Sequence, residues 1–270
     1  MSGLTASIGA ALALLERDVL IAKSYRLRYL SQTAGACFTL ILFYYISRLV
    51  QVDTFGSPDA YFAFVVVGML ILQTLTSTLG SPPGTVQAEL MTGTFERLLT
   101  SPFGAVAAVF SMMLYPFVHA LVTGLVMLVF AWLAFDLPVE WSTAWLAVPI
   151  GLLAALSFAP IGALLASSVL VMKHALVGPT WIIAGISVIA GLYFPITLLP
   201  QWIQWTSEVQ PFTPAVELLR HVLVDTPLTE PALLEVAKLA AFAAALMPLA
   251  LWTLNAAVRV GRRRGTIVEY

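Results

Sequence analysis

Glu96 and Arg97 are adjacent charges in a short segment, GTFERLLTSP (93–102), with long apolar runs on either side. An acid and a base on a helix of about two turns, beside Phe95, Leu98 and Leu99, form no catalytic set. They can seat in the groove of a partner and receive a push from it. Thr94 is positioned to cap this helix with its side-chain oxygen, and Ser101–Pro102 ends it, because a residue before proline is biased away from helical backbone. Read alone, the segment is a plain surface helix, and only its surroundings make it more.

A second polar set, Gln73, Thr74, Thr76, Ser77 and Thr78, lies inside an apolar run. Gln73, Thr76 and Ser77 are three or four apart and share one helix face. Such a stripe either bonds a neighbouring helix, at about 1 kcal/mol per hydrogen bond, or lines a path for a polar group. The motifs of covalent and metal chemistry are missing. No GxxxxGK[ST] is present, so this chain is not expected to hydrolyse ATP. His119, His174 and His221 are dispersed, without metal-ligand spacing, and there is no GxSxG turn. His119 falls in an apolar run, where a neutral ring bonded to a neighbouring helix is the simpler reading and a proton relay the sharper one. Cys37, the single cysteine, reads as a small apolar residue.

These residues must be held by a membrane-spanning scaffold. Of the 270 residues 60% are hydrophobic and 10% charged, with a mean hydropathy of +0.94; soluble domains carry about a quarter charged residues. A net charge of −1 gives no reason to expect nucleic acid. A spanning helix needs about 20 mostly apolar residues. Six segments qualify, at 30–50, 60–80, 105–135, 143–172, 175–194 and 233–257. Small-xxx-small spacings at Ala163/Ser167 and Ser187/Gly191 permit close helix packing within them. Residues 1–29 precede the first span. Their second half mixes Glu16, Arg17, Asp18, Lys23, Arg26 and Arg28 with apolar residues at helical spacing, which suits an amphipathic helix lying in the membrane interface. No cleavable signal peptide is expected there.

Charge orients the chain. With both termini cytoplasmic, the inner side collects ten of the 13 basic residues and five of the 14 acids. That is the usual inward bias of Lys and Arg, and the opposite orientation inverts it. The basic run at 259–264 then becomes a cytoplasmic tail, 258–270, lying against anionic lipid. On the outer side, the segment 195–231 is cut by six prolines. Leu199 to Val209 predicts a short helix with Trp202 and Trp205 on one side. Thr213–Pro214 predicts an N-cap and first-turn proline opening a second helix, which carries Glu217 and Arg220. Both are too short to span and suit re-entrant or interfacial positions, with the tryptophans at headgroup depth.

An amphipathic N-terminal helix, six spans, GTFERLLTSP between spans two and three, and YFPITLLPQWIQWTSEVQPFTPAVELLRHVL before the last span together resemble the permease subunits of type-2 ABC exporters, nearer the drug and lipid members than the polysaccharide ones. The resemblance implies an all-α polytopic protein of the inner membrane, acting as a homodimer with two copies of a cognate ATPase. That partner holds ATP and Mg, and this chain holds no cofactor. It implies that Thr94, Phe95, Glu96, Arg97 and Leu98, with Glu16 and Arg17 of the N-terminal helix, form the ATPase-coupling region. Trp202, Trp205, Glu217 and Arg220 would belong to paired re-entrant helices, and Gln73, Thr76 and Ser77 to a substrate path for a drug, lipid or lipid-linked glycan. The competing class is a membrane scaffold or sensor that anchors a soluble partner without transport. A secondary carrier is third, since the spans hold almost no ionisable residues.

Overall fold

The computed structural model describes residues 2–49, 55–100, 104–172 and 178–264, and among these all regular structure is helical. Helix α1 (Ser2–Ser24) is separated from α2 (Arg26–Leu49) by a single turn residue, Tyr25. The N-terminal helix and the first apolar stretch are therefore nearly continuous. Ser57 caps α3 (Pro58–Leu75), its side chain accepting from the Ala60 N–H at 3.2 Å. A five-residue π-helical segment (Thr76–Gly80) follows, and then α4 (Ser81–Met91).

The π segment has a chemical cause. Pro82 and Pro83 lack N–H groups, so the Thr78 carbonyl loses both its α partner at 82 and its π partner at 83. The helix does not stop at Ser81–Pro82; it widens for one turn and continues, giving one apolar helix over Pro58–Met91. Gly162 of a later helix sits against the displaced backbone. A Cβ there would lie 2.0 Å from the Thr78 carbonyl oxygen.

Gly93, at φ 70°, turns the chain into α5 (Thr94–Thr100). Helices α6 (Ala105–Ser111) and α7 (Leu114–Phe135) meet at a turn over Met112–Met113. Asp136, in the left-handed region, ends α7. A 3₁₀ turn (Ala144–Leu146) leads into α8 (Ala147–Met172), which runs through Pro160. Helix α9 is Gly178–Ile189. Then come a 3₁₀ turn (Ile196–Leu198), α10 (Gln201–Glu208), α11 (Phe212–Val224) and α12 (Ala232–Arg264).

Five of these stretches are long and apolar enough to cross a bilayer: Arg26–Leu49, Pro58–Met91, Ala105–Phe135, Ala144–Met172 and Ala232–Arg263. The segment expected at 175–194 differs. Its helix stops at Ile189, and Gly191 (φ 67°) turns the chain so that Leu192 is buried against α3. Residues 175–177 of the expected segment lie outside the described residues. Gly191 is thus outside any helix, and Ser187/Gly191 is no packing pair. Ala163 and Ser167 are buried on α8, whose pairing with α12 is the most extensive in the fold.

Two apolar cores lie at opposite ends. One joins α3, α8 and α11 through Phe62, Val66, Phe158, Phe212 and Leu219; the other joins α4, α5, α6, α8 and α12 through Val86, Phe95, Val109, Leu170 and Leu254. Helix α11 starts at Phe212 after Pro211, so Thr213 is inside the first turn and does not cap it; its hydroxyl instead accepts from Gln210 Nε2 at 3.3 Å.

Candidate functional site

Helix α4 ends in an acid. Glu89 is in its last turn, where the helix dipole disfavours negative charge, so a partner must hold it. Two do. Arg17 Nη1 of α1 donates to Glu89 Oε1 at 2.8 Å, and the Thr94 hydroxyl of α5 donates to Glu89 Oε2. Arg17 also contacts Asp18 at 2.9 Å. Burial pushes the Asp18 carboxyl above its ordinary range, with Arg17 pulling the other way. The Thr92 hydroxyl lies 2.8 Å from that of Thr94. One carboxylate therefore ties the N-terminal helix, the long second helix and the short α5 together. Glu89 side-chain exposure is 12%, against 36% for Arg17, so the bond is partly shielded from water.

This cluster assigns the expected coupling residues different tasks. Phe95 is fully buried among Val86, Leu90 and Val109. It anchors α5 to this chain and presents nothing to a partner, because the loop–helix junction turns its side chain inward. That burial from water is worth about 1.5–3 kcal/mol. Leu98 is half-buried, and Glu96 and Arg97 are on the exposed face. Thr94 spends its hydroxyl on Glu89, as the first residue of α5 and not as its cap. Glu16 is exposed beside Arg17. Ser101 and Pro102, expected to end α5, lie outside the described residues.

From the Arg17–Glu89 cluster a groove of about 1030 Å³ runs along one face of α3, the π segment and α4. Met69, Leu72, Gln73, Thr76, Ser77, Gly80, Ser81, Gly84, Thr85, Ala88, Glu89 and Thr92 line it at three- and four-residue steps. At 1.5 Å per residue this stripe is about 35 Å long, the order of a bilayer's thickness. Its residues pass from apolar at Met69, through amide and hydroxyl, to charge at Glu89. Gln73, Thr76 and Ser77 are brought together on its wall, as their spacing implies. The opposite wall is α2 and α7. There Tyr29 packs edge-on to Tyr115 at 5.7 Å, and His119 lies 5.0 Å from Tyr29. His119 is thus part of an aromatic cluster at the groove, and Tyr193 closes the far end.

The proline-cut segment splits into an exposed and a buried helix. On α10, Trp202 and Trp205 are 75% and 60% exposed. Helix α11 is buried over most of its surface, against α3, α8 and α12. Arg220 is buried there and donates from Nη2 to the Gly191 and Leu192 carbonyls at 2.8 and 3.1 Å, with Nε and Nη2 reaching the Phe64 carbonyl at 3.4 and 3.3 Å. Its guanidinium lies over the Phe64 ring, 3.3 Å from the centroid. A cation thus collects the carbonyls freed where α9 ends. Glu217 lies one turn before it on the same helix. Gly68 of α3 permits the approach, since a Cβ there would lie 1.9 Å from the Leu192 oxygen.

Glu89 and Gly68 were not among the residues singled out from sequence, and Asp18 was named only within the charged half of the N-terminal helix. For Glu89 a signal existed, an acid in the last turn of a helix; Gly68 offered none, because glycine is common in spanning helices. Among the described residues no cluster of His, Cys, Asp and Glu could hold a metal ion.

A family model described as ABC-2 type transporter matches residues 10–224, from within α1 to the end of α11. A search of curated proteins found no match.

Proposed function

Since the chain belongs to the ABC-2 type transporter family, whose members are membrane components that normally work with an ABC ATPase partner, we propose that it is the permease subunit of an ATP-driven exporter. Two copies form the pathway, and two copies of a separate ATPase supply the energy from the cytoplasm. The cargo is a hydrophobic or amphiphilic molecule moved outward.

The observation that carries this reading is the position of the Arg17–Glu89–Thr94 cluster at one mouth of the groove. Each candidate for contact with a motor, α1 and α5, bonds to the carboxylate at the end of the groove-lining helix. Closure of two ATPases pushes α5 through its exposed Glu96–Arg97 face. The buried Phe95 carries the push into the core under α4, and Glu89 shares it with α1. Helix α4 continues without a break into the π turn and α3, so the displacement reaches Gln73, Thr76 and Ser77. A graded wall of this kind suits a cargo with an apolar body and a polar end, and two facing copies would enclose it.

The test uses the purified complex in proteoliposomes. Glu96→Ala and Arg97→Ala should each lower cargo-stimulated ATPase activity about tenfold, which corresponds to about 1.4 kcal/mol of lost coupling, with insertion and ATPase binding retained. Normal stimulated activity in both variants would remove the coupling assignment. ATP-independent retention of the partner with no movement of any fluorescent amphiphile would favour a scaffold.

A further inference from the structure

We propose that the protein carries a binding site for an anionic phospholipid between α6 and the basic end of α12. The site rests on the cytoplasmic placement of that end in the reading above, but not on transport itself. A second groove, of about 540 Å³, lies there, away from the α3–α4 face. One wall is α6, with Val106, Ala107 and Phe110; the other is a single stripe of α12, with Leu251, Asn255, Val258, Arg259 and Arg262.

The stripe is graded along its length. Leu251 is an exposed apolar residue, Asn255 is an amide one turn later, and Arg259 and Arg262 follow on the next turns. From 251 to 262 the helix rises about 16 Å, half a bilayer's hydrocarbon plus the start of its headgroups. Acyl chain, ester and phosphate occur in the same order over the same depth. The small residues Gly104, Ala105 and Ala107 leave the width for a chain between the helices. Two guanidiniums at the mouth supply complementary charge, and basic pockets between spans on the cytoplasmic side favour anionic headgroups. Arginine adds planar, bidentate donors for phosphate. Other occupants fit less well. A soluble anion leaves the Phe110 and Leu251 walls unfilled, and a neutral lipid brings no charge to match Arg259 and Arg262. The position also matters, since α6 contacts both α1 and α5, so a lipid wedged against it braces the helices proposed to meet the ATPase.

The full chain is purified in detergent from membranes containing phosphatidylglycerol, and retained lipid is measured by native mass spectrometry. Wild type should keep about one phosphatidylglycerol per chain. Arg259→Gln with Arg262→Gln should lower retention about tenfold or more, the effect expected for two headgroup contacts. Ala107→Phe, which fills the groove and leaves the charge alone, should also displace the lipid. Arg263→Gln removes one positive charge from a neighbouring position outside the groove and should leave retention unchanged. Equal loss in Arg263→Gln and the double variant would overturn the site in favour of general surface charge. Displacement of the lipid by soluble glycerol 3-phosphate at equal concentration would make it a phosphate site and overturn the lipid assignment. Retention is read without ATP, so it can fail while the exporter reading stands, and the reverse.

Discussion

Glu89 concentrates much of the proposed coupling in one carboxylate. It accepts from α1 and α5 at once. Glu89→Gln keeps the size and can still accept from Thr94, but it removes the charge that Arg17 uses. Loss of a hydrogen bond to a charged group costs about 1.5–3 kcal/mol, and the half-exposed Arg17 lowers the figure toward about 1 kcal/mol. The expected outcome is a small fall in melting temperature with a disproportionate fall in cargo-stimulated ATPase activity. Equal falls in basal and stimulated activity would make Glu89 a stability residue only. In the sequence, Glu96 and Arg97 drew notice because two opposite charges interrupt apolar runs. Glu89 has its partners 72 residues before it and five after it. Local spacing identifies residues on one helix face; it does not identify bonds between helices. Phe95 illustrates the same limit, because an apolar residue on a short helix has the same spacing whether it faces a partner or its own core.

At the scale of elements, the long spans were legible because twenty apolar residues are a strong signal. The end of α9 at Ile189 was not. Residues 190–194, AGLYF, continue the apolar run, and the chain turns at Gly191, where Leu192 packs against α3 and Arg220 bonds the Gly191 carbonyl. The prolines at 82 and 83 argue for a helix end, yet α4 continues because a π turn absorbs their missing N–H groups. π segments inside α-helices often mark functional sites, and this one lies midway along the polar stripe. Its geometry depends on Gly162. Gly162→Val should destabilise the protein by about 1–3 kcal/mol, the usual cost of overpacking, because the Thr78 backbone cannot yield as a side chain can. Thermal unfolding in detergent reads this directly, and an unchanged melting temperature would mean that α8 can move away from the π turn at little cost.

For the whole molecule, the two cores and the continuous Pro58–Met91 helix make one mechanical body, with α10 and its Trp202 and Trp205 at one end and α5 at the other. On the topology expected from charge, those ends face opposite sides of the membrane. In a chain with Cys37 replaced by Ala, a membrane-impermeant maleimide added to intact cells should label a cysteine at position 208 and leave one at position 96 unlabelled until the membrane is opened. The reverse pattern would invert the topology and with it the coupling proposal. Both positions are exposed, so access depends on side alone.

All seven tryptophans, at 132, 141, 145, 181, 202, 205 and 252, are exposed on the chain. None sits inside a core, where ring and protein would share one environment. The intrinsic ultraviolet emission of this protein is therefore a record of its surroundings: its colour and its quenching by brominated acyl chains follow the solvent, the bilayer or a docked neighbour, while rearrangements confined to the interior remain optically dark.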